Sequence, residues 1–485
     1  MMRANGSPSL SQRVAKNTVV VFLGQALSLL ANLAVNVVLA RHLGEDHFGS
    51  FSYALVLVSF FALFADFGMK PILVRELARR PEESETILGN AFLLKIILMS
   101  LTFALVWLVP LLTGVSSDLR ILLWILAGNL LLSAKLITVR IVWESVFHIR
   151  LRMEIPVLFQ TLDALLLIVV TLIAVSYNAA VETLAVIYVL CNLPGFLLTY
   201  VWSKKMAKPR LHWKRDLVWM FLRESWPIAL YLVFMAFYDR LDVLLLESLK
   251  GRSEVGLYAA AFRLVSPLNF IPLALATSLF PLLSQFSNSA SGKLRQTYVT
   301  GMKILATLGL ALALVASFFA EPIFAWLYPP AFAPGATAFK YLMWAQALGF
   351  LNFYLVDFNA SIDRQSFNLR AAFMMALVNL GIDLLLIPKW GIVGASLAKI
   401  PTNLIGFALL FTFSRPGDLK PFIKIVARLA LVAIGFSAAL SFIRDVHLLL
   451  ALLASGLLYT GLIWLFKVFD AYERALFLRL LGRKA

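Results

Sequence analysis

The hydrophobic residues of this chain lie in long unbroken runs that are separated by short polar segments. A helix needs about 20 mostly apolar residues to cross a hydrocarbon core about 30 Å thick, because each residue advances it by about 1.5 Å. Lipid offers no partner for backbone N–H and C=O groups, so each crossing segment must be helical. The pattern predicts an all-α polytopic membrane protein with about 14 transmembrane helices, over residues 17–40, 48–69, 88–112, 119–143, 155–176, 181–202, 219–247, 254–283, 298–320, 334–358, 371–387, 391–414, 422–443 and 448–469.

The composition excludes a water-soluble globular fold, because 61% of the residues are hydrophobic and only 14% are charged. Soluble domains carry roughly a quarter charged residues. The net charge of +17 comes from lysines and arginines that lie between the apolar runs, which indicates loops that flank membrane spans. We therefore expect membrane lipids as partners and no nucleic acid.

Lysine and arginine are unevenly distributed over the predicted loops. Most of these residues fall in the loops that lie on the same side of the membrane as the N-terminus. The positive-inside rule then places the N- and C-termini in the cytoplasm. No predicted loop is long enough for a soluble catalytic domain, and no Walker-type loop or metal-ligand spacing occurs in the sequence. The sequence predicts a transport protein that is not an enzyme and that holds no metal or other cofactor.

Turn and kink residues reveal an internal repeat, since three pairs of them are each separated by 207 residues. Glycine permits a tight turn between antiparallel helices, and proline frees a backbone carbonyl and bends a helix. Six crossings return the chain to the side where it began, so the repeat predicts two six-helix lobes related by a pseudo-twofold axis along the membrane normal. The predicted hinge and kink residues are Gly44 with Gly251, Gly49 with Gly256, and Pro194 with Pro401.

The repeat also sets the predicted domain boundaries. Two lobes of this kind can rock about a cavity between them and expose it to each side of the membrane in turn. The predicted segments are a cytoplasmic N-terminus (1–16), a first lobe (17–202), a basic cytoplasmic linker (203–218), a second lobe (219–415), two extra C-terminal helices (416–469) and a basic amphipathic cytoplasmic tail (470–485).

The first hundred residues resemble the start of bacterial polysaccharide flippases. The likeness is carried by Leu-Ala-Arg-His-Leu-Gly at 39–44, Phe-Gly at 48–49, Tyr-Ala at 53–54, Asp-Phe-Gly-Met at 66–69 and Arg-Glu-Leu-Ala at 75–78. These flippases belong to the multidrug/oligosaccharidyl-lipid/polysaccharide exporter superfamily, which is related to the MATE transporters. The resemblance implies two lobes that form a V and a location in the inner membrane. It also implies transport of oligosaccharides linked to undecaprenyl pyrophosphate, with a polysaccharide polymerase or chain-length protein as a partner.

The sequence departs from two other branches of this superfamily. The drug-exporting relatives usually carry a carboxylate in the first span, and this chain has no acidic residue there. The arginine-rich first helix pair of the peptidoglycan-precursor flippases is not reproduced either, because Asn32 and Asn36 are the inward-placed polar groups here. The resemblance therefore indicates a polysaccharide flippase whose sugar cargo stays open.

Two arginines within the predicted spans are candidate cargo-binding residues, because an unpaired charge in a membrane costs a few kcal/mol or more. Arg240 lies 11 residues before Gly251 and Arg263 lies 12 residues after it, so both are expected about 16–18 Å deep on neighbouring helices. Their forked donors suit a pyrophosphate. In the alternative interpretation, Arg263 pairs with Asp239 or Asp242 and joins the two helices.

The remaining intramembrane charges leave alternatives open as well. Lysines near the cytoplasmic ends of spans either extend to the membrane interface or attract an anionic headgroup. Lys399 either contacts the cargo or pairs with Asp383. The candidate residues of the cationic cavity are Arg240, Arg263, Lys399, Lys95 and Lys135, and the candidates for ion coupling or charge pairing are Asp239, Asp242, Asp163 and Asp383.

These features predict a flippase that moves lipid-linked oligosaccharide units from the cytoplasmic to the outer leaflet by alternating access. A potential that is negative inside favours outward movement of an anion by about 2.3 kcal/mol per charge per 100 mV, and coupling to H⁺ or Na⁺ is the other candidate drive. One alternative function is a cation-coupled multidrug exporter on the same scaffold. Another is a membrane glycosyltransferase or ligase, which would form a sugar-transfer product.

Overall fold

The computed structural model describes the backbone of residues 10–112, 114–134, 136, 139–150, 152–287, 292–414, 420–443, 447–470 and 473, with side chains from residue 20 onward except at 287, 365 and 420–422. Within these ranges the chain is helical and contains no β-strand. The helices are α1 (Leu10–Asp66), α2 (Met69–Arg79), α3 (Ser84–Leu112), α4 (Ser117–Leu126), α5 (Asn129–Leu132), α6 (Arg140–Ile149), α7 (Glu154–Ser176), α8 (Val181–Leu190), α9 (Leu193–Lys204), α10 (Arg215–Lys250), α11 (Arg252–Val265), α12 (Phe270–Ser287), α13 (Gly292–Leu327), α14 (Gly335–Ser361), α15 (Gln365–Ser414), α16 (Lys420–Ile443) and α17 (Leu448–Leu465).

Two long helices contain a break that divides each of them into two crossings. Gly44 in α1 has φ 69° and ψ 178°, and Gly391 in α15 has φ 51° and ψ −129°, so neither residue is helical. As one rod the 57 residues of α1 would extend about 85 Å, far more than a membrane is thick. In the described ranges, nine continuous helical stretches are long and apolar enough to cross a membrane, and two of them contain these breaks.

The helices follow the predicted spans closely. Three predicted spans consist of shorter helices in sequence: α4 to the start of α6, α8 with α9, and α11 with α12. With the two divided helices, the nine apolar stretches of the described residues correspond to eleven of the predicted crossings. The prediction of an all-α polytopic membrane fold is therefore confirmed.

The chain forms two compact units, residues 1–259 and residues 260–485. This division falls later than the linker at 203–218, because α10 packs against α1, α2 and α3. The two six-helix lobes derived from the repeat remain a prediction.

The first unit has a core in which α10 takes part. Leu217, Val218 and Phe221 near the start of α10 pack with buried apolar residues of α2, α3 and α6, and Phe221 is fully buried. Proline lacks the N–H that would close the helical hydrogen bond. Pro227 therefore interrupts the hydrogen bonding of α10 just after this anchored segment.

In the second unit, the two C-terminal helices pack on α13. Val432 and Phe436 of α16 and Tyr459 of α17 belong to one apolar cluster with residues of α13. The Tyr459 hydroxyl donates a hydrogen bond of 2.7 Å to the Thr307 carbonyl oxygen. Large apolar side chains such as Phe442, which is 87% exposed, cover the outside of these helices, as a lipid environment requires.

Candidate transport site

The four glycines of the repeat lie in the first unit. Gly44 and Gly251, which are 207 residues apart, share an extended left-handed backbone conformation, with φ 69° and ψ 178° at Gly44 and φ 92° and ψ −177° at Gly251. Only glycine adopts this conformation readily. Both residues lie at the turn between two long helices, so the same backbone device recurs at equivalent positions.

Directly after these turns, α1 and α11 touch backbone to backbone. A Cβ atom built on Gly49 would collide with the carbonyl oxygen of Arg252, and one built on Gly256 would collide with the carbonyl oxygen of Glu45. Glu45 and Arg252 are themselves 207 residues apart. The contact is therefore reciprocal, and glycine is needed on both sides for the helices to approach so closely.

The aspartates of α10 have different environments. Asp242 is fully buried and accepts hydrogen bonds from the Tyr258 hydroxyl of α11 and, at 3.0 Å, from the backbone N–H of Val243. It thus links α10 to α11 through Tyr258. Asp239 is exposed and Arg240 is partly buried.

Arg263 is partly buried and lies in the second unit, whereas Arg240 lies in the first. Both arginine residues have intermediate exposure. Their common function as pyrophosphate ligands therefore remains a prediction. Lys135 lies outside the described residues.

Lys95 was expected either to extend to the membrane interface or to attract an anionic headgroup, and its environment in the structure fits neither. Its side chain is fully buried, and its ammonium group donates hydrogen bonds to the Asp66 carboxylate at 2.9 Å, the Asp66 carbonyl at 2.7 Å and the Ala65 carbonyl at 3.2 Å. It joins α3 to the end of α1. A lysine enclosed in this way neither extends to the interface nor faces an arriving headgroup.

Asp163 belongs to a buried ionic network that includes an arginine the sequence did not point to. Arg140, fully buried on α6, donates to Asp163 at 2.9 Å and to Glu144 at 3.1 Å. The backbone N–H of Gly195 also donates to Asp163 at 2.7 Å, and a side chain at Gly195 would collide with this carboxylate. Gln160 completes the network with a 3.2 Å bond to Glu144.

A small cavity of about 70 Å³ with both polar and apolar lining residues adjoins this network. A cavity of this size holds a few water molecules. It is lined by Ser28, Asn32, Ser133, Ala134, Gln160, Asp163, Ala164, Leu167, Tyr188, Cys191 and Asn192.

The second unit holds a comparable network between the two halves of α15. Lys399 is 4% exposed and donates to the Asn379 side-chain oxygen at 3.0 Å, while the Asn379 amide donates to Asp383. The Asn403 amide donates to the Lys399 carbonyl at 2.9 Å, and the Asn352 amide donates to Asn403 at 3.0 Å. Asn379 thus connects the lysine and the aspartate that the sequence proposed as a pair.

The two prolines of the repeat differ in their effect. Residues 191–192 separate α8 from α9, and Pro194 is the second residue of α9. By contrast, α15 continues as a helix through Pro401, and its break lies at Gly391. In the described part of the chain, no group of three or more His, Cys, Asp or Glu side chains is placed to hold a metal ion.

Comparison with known proteins identifies the family. The family model described as Polysaccharide biosynthesis protein matches residues 14–287, more than half of the chain, and a second model, MatE, matches residues 227–385. EPS I polysaccharide export inner membrane protein EpsE of Ralstonia nicotianae is 32% identical over 98 residues, which are 20% of this chain and 22% of that protein. The alignment thus spans about a fifth of the length of this relative.

Two solved structures share the fold. Lipid II flippase MurJ in an inward closed conformation has a TM-score of 0.74 at 16% identity, with 97% of this chain and 100% of that chain covered. A multidrug resistance MATE family transporter of the MOP superfamily in an inward-facing conformation has a TM-score of 0.65 at 17% identity, with 80% and 95% covered. The chain therefore belongs to the polysaccharide biosynthesis protein family, the branch of the exporter superfamily that its first hundred residues resemble.

Proposed function

We propose that this protein is a flippase that carries lipid-linked oligosaccharides, with a polyprenyl pyrophosphate as the lipid, from the cytoplasmic to the outer leaflet of the inner membrane by alternating access. Both termini lie in the cytoplasm in this proposal. The sugar headgroup passes through the protein while the polyprenyl chain stays in the lipid. A polysaccharide polymerase or chain-length protein then takes over the delivered units. The family match and the export role that the name of the EpsE relative states support this proposal.

The observation that carries the proposal is the difference in burial between the intramembrane cations. Lys95 and Arg140 are fully buried and bind acidic side chains, whereas Arg240 and Arg263 keep part of their surface exposed. An arginine that is partly exposed within membrane-spanning helices can be reached by water or by an anion, and a guanidinium fork matches the oxygens of a pyrophosphate. Two such residues fit an anionic headgroup better than an organic cation.

The membrane potential is our proposed drive, since it favours outward movement of an anion by about 2.3 kcal/mol per charge per 100 mV. Asp163, Asp242 and Asp383 are buried and accept hydrogen bonds from protein groups, so a coupling ion would have to displace these donors. Asp239 is exposed, so H⁺ or Na⁺ can reach it from solvent, and it is our candidate for the coupling residue.

Native mass spectrometry of the protein released from its own membrane tests this function. We expect a bound polyprenyl pyrophosphate that carries sugars, and loss of that species when Arg240 and Arg263 are both replaced by alanine. Lys250→Ala, at the exposed end of α10, is the matched control and should retain the bound lipid. A wild-type protein that carries no such lipid, or an alanine double variant that keeps it, would contradict the proposal.

A cation-coupled multidrug exporter is the second candidate, because the MatE model matches residues 227–385. Such an exporter needs a carboxylate that its cationic cargo can reach, and Asp239 is exposed. Asp239→Asn would then abolish efflux of organic cations, whereas a flippase for an anionic headgroup should keep the bound lipid. A bound organic cation in the mass spectrum, without any lipid-linked sugar, would favour the exporter.

A further inference from the structure

An ion pair joins α2 to α10 at the end of each helix that lies on the cytoplasmic side in the proposed orientation. The Arg75 guanidinium binds the Glu224 carboxylate of α10, and it also binds Glu76 at 2.9 Å. The neighbouring Arg79 and Arg80 approach Glu76 to 3.8 and 3.5 Å. Three arginines thus share two carboxylates, which leaves an excess positive charge on this cluster.

The exposure of this pair sets it apart from the buried pairs of the molecule. The side chains of Arg75 and Glu224 are 36% and 38% exposed, whereas Lys95 is fully buried against Asp66. A partly exposed ion pair adds little to stability, because water solvates both partners. A dissolved anion can therefore compete with Glu224 for Arg75 at modest cost.

The backbone around the pair is firmly packed. Gly68, which precedes α2 and has φ 66°, lies so close to Ile228 and Ala229 of α10 that a Cβ atom there would stand 2.9 Å from the Ala229 nitrogen. The start of α10 is anchored in the core of the first unit through Phe221. The Arg75 side chain consequently projects from a fixed position, and exchange of its partner requires no separation of the helices.

We propose that Arg75 is the residue that first binds the phosphate of the headgroup, with Glu224 occupying the guanidinium until the phosphate replaces it. This proposal rests on the proposed function and adds to it a residue that determines substrate recognition at the cytoplasmic side. The Arg75 Nη2 group donates to Glu224 while its Nε group donates to Glu76 at 3.0 Å, so a phosphate oxygen can take the place of the Glu224 oxygen and leave the Glu76 contact intact. Glu76, which is 3% exposed, stays bound to Arg75 and keeps the side chain oriented.

The test compares variants of the two partners in the full-length protein in detergent, with farnesyl pyrophosphate as the probe. Glu224→Gln frees Arg75 and should tighten binding at least about threefold, while Arg75→Gln should weaken it about tenfold, the value of a charged hydrogen bond. Arg75→Lys keeps the charge without the fork and should fall between wild type and Arg75→Gln. Arg152→Gln, which removes another exposed arginine paired with Glu154 at 3.5 Å, should leave binding unchanged.

The proposal predicts that Glu224→Gln tightens binding of the probe and that Arg75→Gln weakens it. An ion pair that only joined the two helices would not produce opposite effects. If Arg75→Gln and Glu224→Gln weaken binding alike, or if neither changes it, the proposal is wrong. Inorganic pyrophosphate is the second probe, and binding as tight as that of the farnesyl compound would assign the site to a free anion and overturn the proposal. Each variant is first checked for an unchanged unfolding temperature, and Arg75→Lys serves if Arg75→Gln fails to fold.

The experiments distinguish a failure of this inference from a failure of the proposed function. Loss of the native lipid in the Arg240 and Arg263 variant, with no opposite effects at Arg75 and Glu224, would keep the function and overturn this inference. A protein that shows the opposite effects but carries no lipid-linked sugar would contradict the function and leave the phosphate contact in place.

Discussion

The reciprocal contact of α1 and α11 makes a quantitative prediction about Gly49→Ala. The methyl carbon that alanine adds would lie 2.8 Å from the Arg252 carbonyl carbon and 3.0 Å from the Gly256 nitrogen. Ordinary contacts between carbon atoms are about 3.5–4.0 Å, so the helices must separate by about 1 Å. Both colliding groups belong to the backbone and cannot rotate away.

Two opposing terms decide the sign of the effect. Overpacking of this kind costs about 1–3 kcal/mol, and the loss of close backbone contact between the helices adds to that cost. Alanine is the better helix former by about 1 kcal/mol, which offsets part of it. We expect a net loss of stability for Gly49→Ala. We expect the same for Gly256→Ala, whose added carbon would stand 2.9 Å from the Glu45 carbonyl carbon.

The assay is thermal unfolding in detergent, with Gly456→Ala of α17 as the matched control. No atom lies within 4 Å of a Cβ built on Gly456, so only the helix propensity acts there and the variant should be unchanged or more stable. Because Gly49 and Gly256 lie in one contact, the double variant should cost less than the sum of the two single variants. Single variants as stable as the control, or strictly additive losses, would refute the reciprocal contact.

The remaining predictions concern two buried ion pairs. Lys95→Met leaves the Asp66 carboxylate buried without its ammonium partner and should lower the free energy of unfolding by about 3–5 kcal/mol. Adding Asp66→Asn should restore part of this stability. An unfolding temperature unchanged in Lys95→Met would contradict the pairing. Glu473→Gln weakens the 2.6 Å pair with Lys303 and should make the chain after α17 more sensitive to limited proteolysis. Equal protection of the wild-type protein and the variant would show that the pair does not anchor this segment.

The glycines show why part of this structure was predictable from the sequence. Glycine adopts the positive φ of Gly44 and Gly251 and permits the close backbone contact at Gly49 and Gly256 with little strain. The spacing of 207 residues between these glycines therefore predicted where the same backbone geometry recurs. The crossing helices were predictable for a similar reason, since hydrophobic length is a local property of the sequence.

The charged residues show where sequence reasoning failed. The partner of Lys95 lies 29 residues away on another helix, so only packing reveals that the lysine is enclosed. Arg140, which stands near the end of a predicted span, was not singled out from the sequence, although its i, i+4 spacing to Glu144 was a usable signal. Asn379 gave no signal at all, because its position between Lys399 and Asp383 depends on how α15 folds back at Gly391.

The most direct test of the central claim is a flipping assay in proteoliposomes that contain a fluorescent oligosaccharide linked to polyprenyl pyrophosphate. We predict that the protein moves this lipid between leaflets, that an imposed potential accelerates movement of the anion toward the positive side, and that replacing Arg240 and Arg263 by alanine abolishes the movement. Wild-type protein that leaves the lipid in its original leaflet at every potential, or an alanine variant that flips it at the wild-type rate, would contradict the account.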